Sequence, residues 1–227
     1  DLLVWDTTRY TNWQKLLIGG TASYTNVSAD VSGGNNAIQY LFGATYNKQS
    51  TVFPSSNTDQ KLGFHFNLNG SSENQKFKFT LTANYDVDNS KLPTYDLTAL
   101  INTPPDAPPI YNSDGTLNWA NSTFTNPMAY TLQRYNATTN NLVANALISY
   151  ALLKGLIIKS SFGYTNLQSN ESSSLPIASF DPAFLPTGSS SFSNNNIHSW
   201  IIEPQLSYVV SAGKSQFNAL LGSTFEE

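Results

Sequence analysis

Apolar and polar residues alternate with period two along eight stretches of this chain, and residues 76–88 show the alternation most clearly. The odd positions of that stretch are apolar or aromatic, whereas its even positions carry lysine, threonine, asparagine and aspartate. Because successive strand residues point to opposite faces of a sheet, such a strand has one apolar face and one hydrated face. The pattern predicts eight strands, at about residues 22–32, 36–47, 60–70, 76–88, 141–153, 156–167, 197–210 and 215–226.

The connections between these stretches alternate between short and long. Short turns follow the first, third, fifth and seventh stretches, and they contain Gly and Asn, which tolerate positive φ in tight hairpins. The long connections are predicted at about residues 48–59, 89–140 and 168–196. Outer-membrane barrels have short turns at one rim and long loops at the other, a parity that soluble sandwiches lack. The sequence therefore predicts an all-β fold, an antiparallel transmembrane β-barrel segment of about eight strands with long extracellular loops.

The apolar positions of the predicted strands are rich in aromatic side chains. Aromatic residues recur eight positions apart in three strands, as Phe77 and Tyr85, Trp200 and Tyr208, and Phe217 and Phe225. Eight residues at about 3.3 Å each, tilted by about 40°, span roughly 20 Å, close to the height of a barrel's apolar band. This spacing places one ring at each membrane interface. An aromatic-rich sandwich core is the alternative interpretation.

The opposite positions of the strands carry charges of both signs. A charged side chain is tolerated inside a barrel only where the interior holds water or polar protein. The predicted lumen-lining residues are Lys61, His65, Lys76, Lys78, Asn84, Asp86, Glu203 and Gln205.

Composition narrows the class of protein further. Charged residues make up 11% of the chain, well below the roughly 25% of ordinary soluble domains. The sequence has no uncharged apolar run of about 18 residues, which excludes a helical membrane protein. A net charge of -4 without a basic patch argues against nucleic acid as a partner. Since the chain has no cysteine, its sheet or a membrane must hold it together in place of disulfides.

The sequence offers little for catalysis and predicts that the protein is not an enzyme. It has no Cys nucleophile and no dinucleotide-binding, Walker or zinc-protease motif. His65 and His198 lie far apart in the sequence and lack the spacing of metal ligands. Asp86 and Asp88 place two carboxylates on one strand face, but the segment does not match a calcium loop, and solvated carboxylates are the preferred interpretation. No catalytic residue, metal or cofactor is therefore expected.

The predicted connection at residues 89–140 is too long to be a bare linker and is expected to be functional. A proline-rich stretch at residues 104–109 stiffens it, and its aromatic rings beside polar neighbours suit sugars and peptides alike. The candidate substrate- or partner-binding residues are Tyr95, Tyr111, Trp119, Phe124, Tyr130 and Tyr135. The alternative is that these rings pack the loop on itself. The connection at residues 168–196, which contains Phe180 and Phe184 among serines, has the same two interpretations.

Eight short motifs, taken in chain order, also carry a resemblance to a known family. They are TNWQ at residues 11–14, VSADVSGG at 27–34, YLFGATY at 40–46, NPMAY at 126–130, TNNL at 139–142, LLKGL at 152–156, SFGY at 161–164 and WIIEPQL at 200–206. Each motif alone is weak, but the ordered set covers nearly the whole chain. In this set the chain resembles the SusC/RagA-type TonB-dependent transporters of the Bacteroidetes outer membrane.

The resemblance implies a larger, 22-stranded barrel whose lumen is closed by an N-terminal plug. Residues 1–227 are then expected to be part of a single TonB-dependent-receptor β-barrel domain, with the plug domain and signal peptide absent from this chain. The implied function is import of oligosaccharides or peptides across the bacterial outer membrane. The implied partners are a SusD-like surface lipoprotein, outer-membrane lipid, and TonB acting through the missing N-terminal region. A complete small barrel acting as an adhesin or anchor, and a secreted carbohydrate-binding β-sandwich, are the alternatives.

Overall fold

The computed structural model describes residues 4–227, and most of them belong to one antiparallel β-sheet. Its strands are β1 (Tyr24–Gly34), β2 (Ile38–Ser50), β3 (Thr58–Ser71), β4 (Phe77–Leu92), β5 (Arg134–Leu153), β6 (Leu156–Leu175), β7 (Ser189–Ala212), β8 (Ser215–Gly222) and β9 (Phe225–Glu226). Strands β1 to β8 lie side by side in sequence order, and β9 pairs with β7. The predicted all-β, antiparallel fold is therefore confirmed, with the eighth predicted strand divided into β8 and β9.

Helical structure in residues 4–227 is confined to short segments outside the sheet. There are two α-helices, α1 (Trp13–Ile18) and α2 (Ala129–Leu132), and three 3₁₀ turns, at Leu97–Leu100, Ile177–Ser179 and Pro182–Phe184. Asn12 caps α1 by accepting the backbone amide of Lys15 at 2.9 Å, and the helix ends at Gly19. None of the helices described is long and apolar enough to cross a membrane.

The two faces of the sheet differ in chemistry, because residues paired directly across neighbouring strands share a face. Phe64 pairs with Tyr85 on β4, and its ring stacks on that of Phe42 on β2 with 6.1 Å between centroids. The apolar face, as we call it, carries Tyr40, Phe42, Phe64, Leu81, Tyr85, Ile148, Phe162, Tyr164 and Ile202. The polar face carries Asp30, Lys61, His65, Lys78, Asn84, Asp86, Asp88, Glu203 and Gln205.

The connections confirm the predicted alternation of short turns and long loops. At one edge of the sheet the turns are residues 35–37, 72–76, 154–155 and 213–214. At the opposite edge, which we call the loop edge, the connections are residues 51–57, 93–133 and 176–188. Residues 4–20 also lie at the loop edge, since they precede β1.

Gly155 lies in one of the two shortest turns, with φ +83°, and its carbonyl accepts the backbone amide of Val209 at 2.8 Å. A Cβ at this position would overlap the carbonyl oxygen of Val209. We expect Gly155→Ala to lower the free energy of unfolding by about 2 kcal/mol, from left-handed strain and overlap together. The shift of the urea unfolding midpoint measures it.

Gly213 provides the matched control for that substitution. It also lies in a hairpin turn at positive φ, +64°, but a Cβ there would meet no atom within 4 Å. Gly213→Ala should therefore cost only the strain, about 1 kcal/mol. Equal costs for the two variants would show that the close approach to Val209 does not matter.

Three strands extend seven or eight residues further toward the loop edge than the sequence predicts, whereas β2, β3 and β4 extend by two to four residues. Residues 134–140 of β5, 168–175 of β6 and 189–196 of β7 were assigned to loops from the sequence, and those bounds are wrong. These segments are dominated by Ser, Thr and Asn on both faces of the sheet. The backbone ladder continues without the apolar alternation that marks a strand in sequence. We attribute the loss of alternation to water on both faces of these strand ends, which lie beyond the apolar part of the sheet.

Candidate functional site

The buried hydrophobic core of the described residues lies at the loop edge rather than in the sheet. Trp13, Leu17, Leu97, Ala107 and Phe124 form this core, and Trp13 and Phe124 are only 2% and 5% exposed. These side chains come from residues 4–20 and 93–133, and Phe53 of residues 51–57 packs against them. We call these three segments together the loop module. They are distant in sequence but share one apolar interior, as a small domain does.

Hydrogen bonds join the segments of the loop module. The indole of Trp13 donates to the carbonyl oxygen of Pro104 at 2.8 Å, and the amide of Thr11 donates to that of Pro105 at 2.7 Å. Pro104 and Pro105 have no amide hydrogen to donate to a strand ladder, but their carbonyls still accept hydrogen bonds. The amide of Gly20 also donates to the carbonyl of Val52 at 3.2 Å. The proline stretch is thereby fixed against α1.

Asn126 holds the middle of the long connection in place. Its side chain is fully buried, and its Nδ2 donates to the carbonyl oxygens of Ile110 at 2.6 Å and Asn118 at 3.0 Å. Its Oδ1 accepts the amide of Met128 at 3.0 Å. Both donors and the acceptor of one buried amide are therefore satisfied. These bonds set the position of the hairpin-like arm at residues 111–117.

A cavity of about 650 Å³ lies between that arm and the connection from β6 to β7. One wall comes from residues 111–132 and the other from residues 177–183. Its volume falls in the range of small-ligand sites, which have mainly apolar walls and a few polar groups. The lining includes Tyr111, Asn118, Trp119, Met128, Phe180 and Asp181.

A turn of left-handed backbone follows Trp119 at the cavity wall. Ala120, Asn121 and Ser122 have φ values of +45°, +53° and +66°. Left-handed conformation costs about 1–2 kcal/mol for each such residue, and it persists where the surroundings impose it. Here the hydroxyl of Thr123 donates to the carbonyl of Ala120 at 2.7 Å, which helps to close the turn. The turn fixes the backbone on the C-terminal side of the Trp119 ring.

The charged side chains of the two connections that form the cavity have one sign. Residues 93–133 and 176–188 contain four aspartates, Asp96, Asp106, Asp114 and Asp181, and no Lys, Arg, His or Glu. The hydroxyl and backbone amide of Thr98 donate to Asp96, and those of Thr116 donate to Asp114. These bonds hold the pKa of each carboxyl below its ordinary value, and the bond from the threonine hydroxyl has the larger effect. Both carboxylates are therefore ionised at neutral pH.

The structure distributes the six predicted binding residues among different environments. Tyr111 and Trp119 line the cavity. Tyr95 and Tyr130 stack on each other with 4.3 Å between ring centroids, and Phe124 lies in the core of the loop module. Tyr135, expected in a loop, lies on β5 instead. Contact of these residues with a ligand stays a prediction, and only Tyr111 and Trp119 are brought together at the cavity.

Phe180 and Asp181 contribute to the cavity from the connection between β6 and β7. The sequence singled out Phe180 only as one of several loop aromatics, and Asp181 not at all. A local signal for Asp181 exists, since an aspartate followed by proline is typical of a helix start. Its Oδ1 accepts the amide of Ala183 at 2.9 Å at the start of the 3₁₀ turn. That signal predicts the 3₁₀ turn, but it does not predict that Asp181 lines the same cavity as Trp119.

On the polar face, three close contacts join basic and acidic side chains, and one of them, Lys61 with Asp88, links the neighbouring strands β3 and β4. Lys61 Nζ lies 3.1 Å from Asp88 Oδ2 and 3.8 Å from Asp59 Oδ2. His65 Nε2 lies 3.2 Å from Asp30 Oδ1, a pair that crosses over Gly43 of β2. A Cβ on Gly43 would overlap both side chains, so the glycine makes room for the pair.

The strand pairing places most of the predicted lumen-lining residues on this polar face. They are Lys61, His65, Lys78, Asn84, Asp86, Glu203 and Gln205. Lys76 lies in the turn that precedes β4. Among residues 4–227 no three His, Asp or Glu side chains gather where they could hold a metal ion.

Comparison with known proteins identifies structures of the same fold. No family model matches the chain, and no curated protein matches it. A solved structure of the RagAB peptide transporter matches 98% of this chain with a TM-score of 0.70 at 16% identity. This chain has the fold of a segment of that transporter.

Two further structures of the RagAB peptide importer agree with this match. The TM-score is 0.72 at 17% identity for the 'open-open' state, over 98% of this chain. It is 0.69 at 16% identity for the 'closed-closed' state, over 96% of this chain. In all three comparisons this chain spans 26% of the length of the matched chain. The likeness therefore extends along nearly all of this chain and about a quarter of each RagAB chain.

Proposed function

We propose that this chain forms part of the barrel wall and external loops of an outer-membrane, TonB-dependent transporter. The transporter imports peptides or oligosaccharides together with a SusD-like surface lipoprotein. The observation that carries the proposal is the two-faced sheet, whose apolar face is uncovered across β2 to β7. The RagAB fold supports it, because those structures are of a peptide transporter.

The apolar face needs a partner that is itself apolar. Phe42 and Tyr164 are each 42% exposed, and Phe162 is 38% exposed. Contiguous apolar surface of more than a few hundred Å² is rare on soluble proteins, and each Å² left in water costs about 25 cal/mol. A lipid bilayer covers a face of this kind on a strand wall, where side chains alternate between lipid and interior.

The order of the strands argues against a small closed barrel. Closure on eight strands requires pairing between the first and last strands. Within residues 4–227, β1 pairs with β2 and β8 pairs with β7, so these two strands lie at opposite ends of the sheet. In a larger barrel both ends pair with further strands, which satisfies the backbone groups that lipid would leave unpaired.

The loop edge supports a capped transporter rather than a bare pore. All three long connections and residues 4–20 lie at this edge, and residues 4–20, 51–57 and 93–133 bury a core of their own there. A packed loop module offers a fixed surface to a lipoprotein. The ligand then passes along the polar face, and TonB acts through a region outside this chain. Import changes no covalent bond of the ligand.

The experiment that tests this function is the isolation of the native polypeptide from detergent-extracted outer membranes. Its intact mass and its co-purifying partners are measured by mass spectrometry. A chain several times heavier than 24.9 kDa that arrives with a surface lipoprotein supports the transporter. A polypeptide of 24.9 kDa alone in the membrane indicates a small barrel. Recovery from the soluble fraction only would contradict a membrane protein.

A further inference from the structure

We propose that the cavity at the loop edge binds the cationic end of a peptide, either its amino terminus or a Lys or Arg side chain, beside an aliphatic residue. This inference rests on the proposed transport function and names the substrate class and the site of its recognition. The cavity joins two loops whose lining residues lie at least 45 positions apart in the chain, from Leu132 to Ile177.

Charge complementarity gives the first argument. Asp181 is the only charged side chain among the residues that line the cavity, and it is partly buried. Its Oδ1 accepts one amide, that of Ala183, whereas a carboxylate accepts up to about four hydrogen bonds. No lysine or arginine in either loop competes for it. A cationic group is therefore attracted to the cavity, and an anionic group is repelled.

The aromatic lining gives the second argument. Three of the residues that line the cavity are aromatic, namely Tyr111, Trp119 and Phe180. Indole and phenol faces attract ammonium and guanidinium groups, and the attraction strengthens as water is excluded. The left-handed turn after Trp119 holds its backbone in one conformation, so less conformational freedom is lost when a ligand binds.

The apolar lining favours a peptide over a sugar. Met128 and Ile177 lie on the cavity wall with Leu132. An amino group carried on hydrocarbon places its charge near the carboxylate and its methylene groups against these side chains. Sugar hydroxyls placed against these three side chains would lose water without gaining a hydrogen-bond partner from them, which costs free energy. A neutral sugar also gains nothing from the charge of the loops.

The test measures peptide binding to the native, full-length chain, purified in detergent, by isothermal titration calorimetry. The probe is the hexapeptide Lys-Leu-Ala-Leu-Ala-Gly with a free amino terminus. Two analogues remove one charge each, by acetylation of the amino terminus or by replacement of its lysine with glutamine. A third removes both charges, and maltohexaose serves as the neutral oligosaccharide.

The expected result is a loss of affinity of about five- to tenfold for the doubly neutral peptide, and weaker binding still for maltohexaose. The singly neutral analogues tell the two sources of the charge apart. If acetylation alone lowers the affinity, the amino terminus occupies the cavity. If the glutamine analogue alone does so, the side chain occupies it. Equal affinity for the parent and doubly neutral peptides would overturn the proposal, as would tighter binding of maltohexaose.

Three variants assign the effect to this cavity. Asp181→Asn removes the charge but keeps an oxygen that can accept the amide of Ala183, and we expect it to weaken the parent peptide about five- to tenfold. The same variant should change the affinity for the doubly neutral peptide by no more than about twofold. Trp119→Ala should lower the affinity for the parent peptide about tenfold. Asp106→Asn, a neutralised carboxylate of the same loop that does not line the cavity, is the matched control and should change nothing.

Peptide uptake by cells that express each variant separates failure of this inference from failure of the transport function. Uptake that persists in wild type and is unchanged in Asp181→Asn and Trp119→Ala overturns the cavity proposal and leaves transport standing. Charge-selective binding by the purified protein without any uptake by wild-type cells overturns the transport function and leaves the cavity standing.

Discussion

Truncation of Trp13 to alanine is expected to destabilise the loop module by about 3–5 kcal/mol, as other large-to-small changes in a core do. The ring is 2% exposed, packs at 6.0 Å between centroids from Phe124, and its indole donates to Pro104. The truncation leaves a void in the buried core of the loop module, and it removes the indole's hydrogen bond from the carbonyl of Pro104, which keeps only the amide of Ala107 at 3.0 Å. Hydrogen exchange should therefore accelerate throughout residues 93–133.

The strands serve as the internal reference in that experiment, because Trp13 does not contribute to their pairing. Amides of β5 and β6 should keep their protection while those of the loop module lose it. Tyr10→Ala is the matched control, since Tyr10 lies three residues away and is 79% exposed. Unchanged exchange in residues 93–133 of the Trp13→Ala variant would show that α1 does not hold the loop.

Replacement of Phe162 by arginine is expected to cost about 2–4 kcal/mol in a bilayer, the usual penalty for a cation on the lipid side of a barrel near the midplane. Phe162 lies on the apolar face between Ala146 and Ile202. Its arginine would face hydrocarbon with no carboxylate among these neighbours. The measurement is the urea unfolding midpoint of the native chain in phospholipid vesicles.

Ser161 provides a control one residue away on the opposite face. It pairs with Glu203 on β7, so an arginine there gains a carboxylate neighbour and water. Ser161→Arg is expected to cost less than about 1 kcal/mol. A larger cost for Ser161→Arg than for Phe162→Arg would assign lipid to the wrong face and contradict the proposed membrane orientation.

The sequence predicted the strands wherever their two faces meet different surroundings. Residues 76–88 alternate without interruption, and their pairing with β3 and β5 follows the alternation. The alternation disappears in residues 168–175 and 189–196, where serine and asparagine lie on both faces. Their strand pairing comes from backbone hydrogen bonds that have no side-chain pattern, so the sequence predicted loops there.

The candidate site was predictable only in part, because it depends on contacts between distant segments. The length and aromatic content of the long connection indicated a functional region, and Trp119 lies at the cavity. The same criteria selected Phe124, which packs against Trp13 instead. An aromatic residue in a loop has the same sequence signature whether it is buried or exposed. Only the fold shows that Asp181 lies at the cavity that Trp119 also lines.

The long polar ends of β5, β6 and β7 would determine where the proposed transporter meets its ligand. Residues 189–196 of β7, at about 3.3 Å each and tilted by about 40°, raise the loop edge by roughly 20 Å above the apolar band. A solute dissolved in the bilayer does not reach a cavity at that height. The cavity would therefore be accessible only to molecules dissolved in the surrounding water. Apolar compounds concentrated in the membrane would not compete for it.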